Sequence, residues 1–465
     1  MRMPKIRSVS LSAALMMSAA FMGSCALQTM TATAQTAETD VMPPTIGWEY
    51  GLPAYASEIT DGGAGGEIVK VTTLASSGPG SLREAVAVPG PKTIVFEVAG
   101  VIDLEGEGIR INESDITIAG QTAPSPGITI IKGGFVISGQ DVIVQHLRIR
   151  PGDFGEALRS GRDIDAISTT NGAKNVVVDH CSLSWSTDEN LSASSSRFTG
   201  ETPEEWRSAA SNTILYSLNI IAEGLSHSTH AKGEHSKGSL IHDHVNGIVI
   251  YGNLYTSNFE RSPLFKGDVH GAIVNNFIYN PGQRAIHYNL QGIEWKGHEP
   301  QTGEMDLVSN VMRYGPSTVE GLPMLMIAGV GDLSLYESGN IAVDRWGNDA
   351  PMFGAYTVGP AEILETESSH MSLNSLTILP AKKVEGYVLA NAGARPWDRD
   401  VHDVRVTADA AEGRGEIIDS QSQVGGYPET GSVVRHPFDP DAWELSTMSP
   451  KSAETLDAGM KARGT

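Results

Sequence analysis

Two pairs of neighbouring carboxylates, Asp163-x-Asp165 and Asp188-Glu189, are followed downstream by spaced cations at Lys237, Arg261, Lys266 and Arg284. On an extended strand, residues two apart face the same side, so Asp163 and Asp165 are expected to offer two carboxylates to one face. Carboxylates so placed repel each other unless a cation sits between them. Calcium suits such a place, because it takes several oxygen ligands in irregular geometry. A solvated rim is the plainer reading of the same pattern. Paired carboxylates also serve glycoside hydrolases, in which one activates water. The four cations read either as the lining of a groove for an acidic ligand or as ordinary surface charge.

Five histidines lie between His227 and His244. His227, His230 and His235 fit neither the helical nor the finger spacing of a zinc site, and no cysteine joins them. They read as loop histidines beside a groove. Cys181 reads as a small buried residue rather than a nucleophile.

These residues need a scaffold that brings distant segments to one face, and short apolar runs recur through the middle of the chain. They are Val142-Ile143-Val144, Val176-Val177-Val178, Thr213-Ile214-Leu215, Ile248-Val249-Ile250 and Ala272-Ile273-Val274. If Gln145, Asp179, Tyr216, Tyr251 and Asn275 are equivalent, the runs recur at steps of 34, 37, 35 and 24 residues. A near-constant step with loops of varying length marks a solenoid whose coils bury their apolar faces against each other. Helical periodicity is absent from this reading. Asn219, Asn253, Asn276, Asn310 and Asn340 suit tight turns where one amide bonds to the next coil. Ser81-Leu82-Arg83-Glu84 reads as a capping box that opens a short helix, a natural cover for the open end of the solenoid. The expected fold class is therefore all-β: a single right-handed parallel β-helix with a short N-terminal capping helix and long inserted loops.

Arg2, Lys5 and Arg7 precede an uncharged apolar run from Val9 to Met22, the layout of an export signal and too short to span a bilayer. Ala32-Thr33-Ala34 offers a cleavage site, and Gly23-Ser24-Cys25 offers the alternative of a lipid anchor at Cys25. The expected organisation is a signal over 1–34, a linker over 35–60, the β-helix over 61–430 and a loosely attached tail over 431–465. The product would be secreted, periplasmic or anchored to the outer membrane, and monomeric, with no transmembrane segment. With 33 basic and 55 acidic residues the formal charge is -22. A nucleic-acid partner is thereby disfavoured, since phosphate binding requires a basic stripe. Only Cys25 and Cys181 are present, so stability must come from a large core and not from disulfides.

One segment is more specific. Arg261-Ser262-Pro263-Leu264-Phe265-Lys266, followed by His270 and Asn275-Asn276-Phe277-Ile278-Tyr279, resembles the R-x-P-x-x-R signature and succeeding coil of the pectate and pectin lyases, polysaccharide lyase family 1. Lys266 replaces the second arginine and so loses its bidentate fork. Gly161-Arg162-Asp163-Ile164-Asp165 resembles the family's D-x-D calcium segment, and Val178-Asp179-His180-Cys181 resembles its V-D-H coil. Asp188-Glu189-Asn190-Leu191-Ser192 stands in the place of a second acidic segment, with Ser192 where an aspartate is usual. Lys237-Gly238-Ser239-Leu240 stands in the place of a lysine-bearing strand.

The resemblance implies calcium-assisted β-elimination of polygalacturonate. Arg261 would take the ring proton, and Lys237 would assist or serve as the alternative base. Lys266, Arg284 and His180 would contact substrate, and Asp163, Asp165, Asp188 and Glu189 would hold calcium. A same-fold lyase acting on alginate or glucuronan, a β-helix hydrolase and a non-catalytic glycan-binding solenoid are the competing classes.

Overall fold

The computed structural model of the protein describes residues 54–456 apart from 358, 430, 432 and 453. The export-type segment, Cys25 included, lies outside the described residues. Sheets of eleven, ten and nine strands carry the chain, parallel throughout except for one terminal strand. Each coil gives a strand to each sheet. Lys174–Asp179, Ser182–Ser184 and Leu191–Ala193 are followed one coil on by Asn212–Ser217, Ile220–Ala222 and Leu240–Ile241. This is the expected parallel β-helix. Among the described residues no helix is long and apolar enough to cross a membrane.

Inside the coil, like stacks on like. Val144, Val178, Tyr216, Ile250 and Ile273 lie one above another in the eleven-stranded sheet and are buried in one continuous core. The pairing corrects the expected register at two places. Asp179 faces Ser217 rather than Tyr216, and Tyr251 faces Val274 rather than Asn275. A slip of one residue exchanges the faces of a strand, and Tyr216 accordingly points into the core.

The asparagines set the true step. Asn219 Nδ2 donates to Asn253 Oδ1 at 2.9 Å, Asn253 to Asn276 at 2.9 Å, Asn276 to Asn310 at 3.0 Å and Asn310 to Asn340 at 3.0 Å. Each amide oxygen also accepts the backbone N–H of the coil before it, and each amide nitrogen also reaches a carbonyl there, as Asn253 does at Tyr216. The ladder advances by 34, 23, 34 and 30 residues. Buried Cys181 fills the position preceding Asn219 and passes its N–H to the Asn219 amide oxygen.

Two of the three outer faces are covered. Ile143, Val177, Leu215 and Val249, on the outside of the eleven-stranded sheet, pack under Ala56, Leu373 and Leu376. Ala56 opens helix α1, Ala56–Ile59, so residues expected as linker are partly helical and docked. Helix α2, Leu82–Ala87, opens as expected at Ser81, whose hydroxyl accepts the Glu84 N–H. Its Leu82, Ala85 and Val86 belong to the core. A further short helix, α3, spans Pro203–Ala209.

Two longer helices, α4 (Ala381–Asn391) and α5 (Val401–Glu412), correct the expectation that helical periodicity is absent. They cover Ile220, Ala222, Leu254 and Phe277 on the outside of the ten-stranded sheet. Buried ion pairs fix α5 in place. Arg150 bonds Asp400 at 2.7 Å and Asp403 at 2.8 Å, and Arg148 reaches Asp403 at 3.3 Å. The expected loose tail is also corrected: Phe438, Trp443, Met448 and Leu456 are buried against Val95 and Ala119. Its apolar residues are too widely spaced to show a period.

Asn253 carries the most exacting test of the ladder. Truncation to Ala leaves the buried Asn219 N–H and the Tyr216 carbonyl without their partner, at about 1–3 kcal/mol for each unsatisfied group. Urea unfolding of Asn253→Ala should show a loss on the order of 2–4 kcal/mol. A midpoint equal to that of the wild type would contradict the ladder's role.

Candidate functional site

The nine-stranded sheet presents polar and charged groups on its outer side. Ile167, Leu191, Phe265 and Tyr288 point into the core, so the alternate residues Ser168, Ser192, Lys266 and His287 face outward. The candidate site lies along the upstream edge of this sheet. Asp165 and Glu189 each stand two residues before their strands, Ile167–Thr169 and Leu191–Ala193. Lys237 and Arg261 each stand three before theirs, Leu240–Ile241 and Leu264–Lys266, and Arg284 stands two before Ile286–Leu290. Parallel bridges from Glu189 to Lys237 and from Lys237 to Glu260 continue the pairing upstream. Successive coils therefore bring together residues as far apart in sequence as Glu189 and Arg261, 72 positions.

Opposite charges alternate along this edge. The Glu189 carboxylate pairs with Arg261, and Glu260 pairs with both Lys237 and Arg284. Asp188 accepts from His235 Nε2 at 2.6 Å. Asp165 accepts the Glu189 N–H at 2.9 Å and the Ser192 hydroxyl at 2.5 Å. Arg261 takes a left-handed backbone conformation, φ 66°, which is uncommon for a residue with a side chain.

Burial, and then the nearby Asp188 charge, push the Asp165 carboxyl up to about 8. Burial followed by the Arg284 charge pulls the Lys237 ammonium down to about 7, and the Glu234 and Asp188 carboxylates oppose that fall. Burial also lowers the Arg261 guanidinium, against the opposing pull of Asp188 and Asp165.

Carboxylate oxygens of Asp165, Asp188 and Glu189 lie within 4.8 Å of one another. With the Ser192 hydroxyl beside Asp165 they form an all-oxygen set. A carboxylate cluster that holds one of its members protonated fits a hard cation. Asp188, His230 and His235 form a second cluster. Its two rings stack at 3.8 Å, and His230 Nδ1 accepts the Lys232 N–H. That bond leaves the ring proton on Nε2, facing Asp188, whereas a metal-bound histidine donates from its other nitrogen. His235 therefore serves Asp188 as its hydrogen-bond partner, and His230 Nε2 faces the same carboxylate from 3.8 Å.

Of the residues singled out in the sequence, Asp165, Asp188, Glu189, Lys237, Arg261 and Arg284 meet along this edge. Three others do not meet them as expected. Asp163 is exposed, and both it and Asp165 precede the strand rather than lying on it, so strand alternation does not pair them. His180 is fully buried at the turn between the eleven- and ten-stranded sheets, bonded to Asp179 at 2.7 Å and stacked on His146. It therefore cannot touch a ligand on the nine-stranded sheet. Lys266 is buried further along its strand, paired with Glu294 and 3.9 Å from Asp243.

Sequence reasoning missed Glu260, His287 and Tyr356. Glu260 adjoins Arg261, and the need to compensate three cations was the available signal. Tyr356 follows the strand Phe353–Ala355 and leans back across the sheet to place its ring 4.8 Å from the Arg284 guanidinium. Nothing in its sequence neighbourhood announces that reach.

No family model matches the chain. A protein of Aspergillus flavus named probable pectate lyase C is 37% identical over 222 residues, which is 48% of this chain and 45% of that one. The Aspergillus terreus protein of the same name is 38% identical over 258 residues, 55% of this chain and 52% of that one. The chain is a sequence relative of the pectate lyases. It spans about half the length of the pectate lyase C proteins it matches. The crystal structure of Jun a 1, the major allergen from cedar pollen, superposes with a TM-score of 0.52 at 17% identity, over 74% of this chain and 92% of that one. This likeness bears on the fold alone, which is a parallel β-helix.

The Asp165 carboxyl gives the site a measurable pH signature. Its ordinary value in the unfolded chain is about 4, and in the folded protein it lies at about 8. The stability it contributes is therefore complete below about pH 4 and is lost as the pH rises through about 8. In chelator, thermal melting of the wild type should fall between about pH 5 and about pH 8, and Asp165→Asn should fall less over the same range. Parallel melting curves for the two proteins would contradict the assignment.

Proposed function

We propose that the chain is a polysaccharide lyase that cleaves polygalacturonate by β-elimination, with calcium held by Asp165, Asp188 and Glu189. The observation that carries this reading is the position of Arg261, paired with Glu189 of the carboxylate cluster and standing on the coil between those of Lys237 and Arg284. The sequence relatives named probable pectate lyase C support it.

Elimination removes the C5 proton beside a uronate carboxylate and expels the C4 oxygen, leaving a C4–C5 double bond. When bound, calcium supplies the positive charge that neutralises the uronate carboxylate and makes the C5 proton more acidic. Arg261 takes that proton. Its burial favours the neutral guanidine, as a base requires. Lys237 and Arg284, held in place by Glu260, face the charge that develops on the carboxylate oxygens. Lys266, already paired with Glu294, contributes to binding the polymer further along the strand. Export, a signal ending at Ala34 or before Cys25, and a monomeric state complete the proposal.

Incubation with polygalacturonate, alginate and glucuronan, with calcium and with a chelator, tests the reading through the ultraviolet absorbance of the unsaturated product. Polygalacturonate should give the signal only with calcium. Saturated ends carrying oxygen from labelled water would assign the protein to the hydrolases instead. Arg261→Lys and Arg261→Ala should both lose turnover by roughly 100-fold or more with little change in KM, as expected when a positioned base is removed. Lys266→Ala should mainly raise KM. Near-normal turnover of Arg261→Ala would move the base to Lys237.

A further inference from the structure

His287 lies on the outward face of the nine-stranded sheet, one coil beyond Leu264 and in register with it. It is nevertheless only 2% exposed. Its Nδ1 lies 3.3 Å from the Tyr356 hydroxyl, while its buried Nε2 has no hydrogen-bond partner among the described residues. Arg284, Arg261 and Lys237 are the charged groups that act on it. A buried imidazole nitrogen without a partner costs stability, and such a group among three cations is suited to an anionic ligand.

The hydrogen-bond chain sets the tautomer. The Asn289 amide donates to the Tyr356 oxygen, and burial pushes the phenol up to about 12, so it keeps its proton. With the Tyr356 oxygen already accepting from Asn289, its proton is assigned to His287 Nδ1, which places the ring proton on Nε2. Burial and the neighbouring cations hold the imidazole well below its ordinary value, so it stays neutral. A neutral donor adds a directed hydrogen bond without adding charge to a cluster that already holds three cations.

We propose that His287 is a substrate-binding residue: oriented by Tyr356, it donates Nε2–H to a carboxylate oxygen of a uronate bound beside Arg261 and Arg284. The inference rests on the lyase reading for the identity of the sugar, and on the Tyr356 contact and the buried, unpartnered Nε2 for the donor. Tyr356 is then a positioning residue, acting through His287 and through the stacking of its ring on Arg284.

Nitrogen NMR of the histidine-labelled full chain, with and without digalacturonate, tests the donor independently of turnover. The expected result is a neutral Nε2–H tautomer for His287 whose Nε2 resonance shifts on addition of digalacturonate. In steady-state kinetics on polygalacturonate, His287→Phe should raise KM about tenfold or more with kcat within about threefold, the scale of one hydrogen bond to a charged group. His287→Gln, which keeps a donor, should recover most of that loss. Tyr356→Phe, which keeps the ring on Arg284, should show a smaller rise in KM and a mixture of tautomers. A pure Nδ1–H tautomer, an Nε2 resonance indifferent to digalacturonate, or an unchanged KM in an active His287→Phe protein would each overturn the proposal. If the wild type cleaves no polygalacturonate, the lyase reading fails, and the response of the Nε2 resonance to digalacturonate still decides for or against His287.

Discussion

In a parallel coil each residue stands about 4.8 Å from its counterpart on the next turn, so a polar side chain repeated at one corner meets its own copies. Asparagine can satisfy that geometry because its amide donates and accepts along the same axis. From Asn219 to Asn340 every amide bonds the next and also ties down backbone groups at the corner. The corner is thereby held at a fixed register, and the strands that leave it inherit that register. Loops between strands then vary in length without disturbing what stands above what.

The same stacking rule governs the candidate site, where it carries a cost. Charges on successive coils are forced to within bonding distance, so a run of like charge would repel. The chain answers with alternation: Glu189 against Arg261, and Glu260 between Lys237 and Arg284. Where alternation stops, burial and then the neighbouring Asp188 charge drive the Asp165 carboxyl toward its neutral form. Removing charged groups from water is expensive, and the outer face of this sheet bears that expense along the candidate site, whereas the ion pairs of the ten-stranded sheet, Arg148 and Arg150 with Asp400 and Asp403, are sealed under α5. The division marks the nine-stranded sheet as the one shaped for a ligand.

Much of this was legible in the sequence. The β-type runs gave the solenoid, Ser81 gave the capping helix, and the asparagines gave the ladder. The register slipped at Tyr216 and Asn275 because a tyrosine can serve a core position as well as an outer one, and the ladder asparagine itself was the better marker. Helices α4 and α5 escaped because their buried faces are narrow, although Asp400 before Val401 and Gly413 after Glu412 form a cap at each end of α5. Asp165, Asp188, Glu189, Lys237, Arg261 and Arg284 were found by residue type and order. His180 was misplaced because the sequence does not tell which corner of a coil a motif occupies. His287 and Tyr356 were invisible, because they meet only through a side chain that reaches across coils.

Arg148 and Arg150 lie in the early part of the coil, yet their carboxylate partners Asp400 and Asp403 come some 250 residues later. A solenoid otherwise assembles by nearest-neighbour contacts and can grow turn by turn from its first coils. Here two guanidinium groups wait on the outside of the ten-stranded sheet, still hydrated, until α5 arrives. Closure of that wall is a long-range event set against a background of local ones, and loops closed over long distances form slowly. The molecule therefore reaches its sealed state only after the last coils and α5 have been made, and a chain interrupted before residue 400 would hold a largely stacked helix with an open, charged seam along one side.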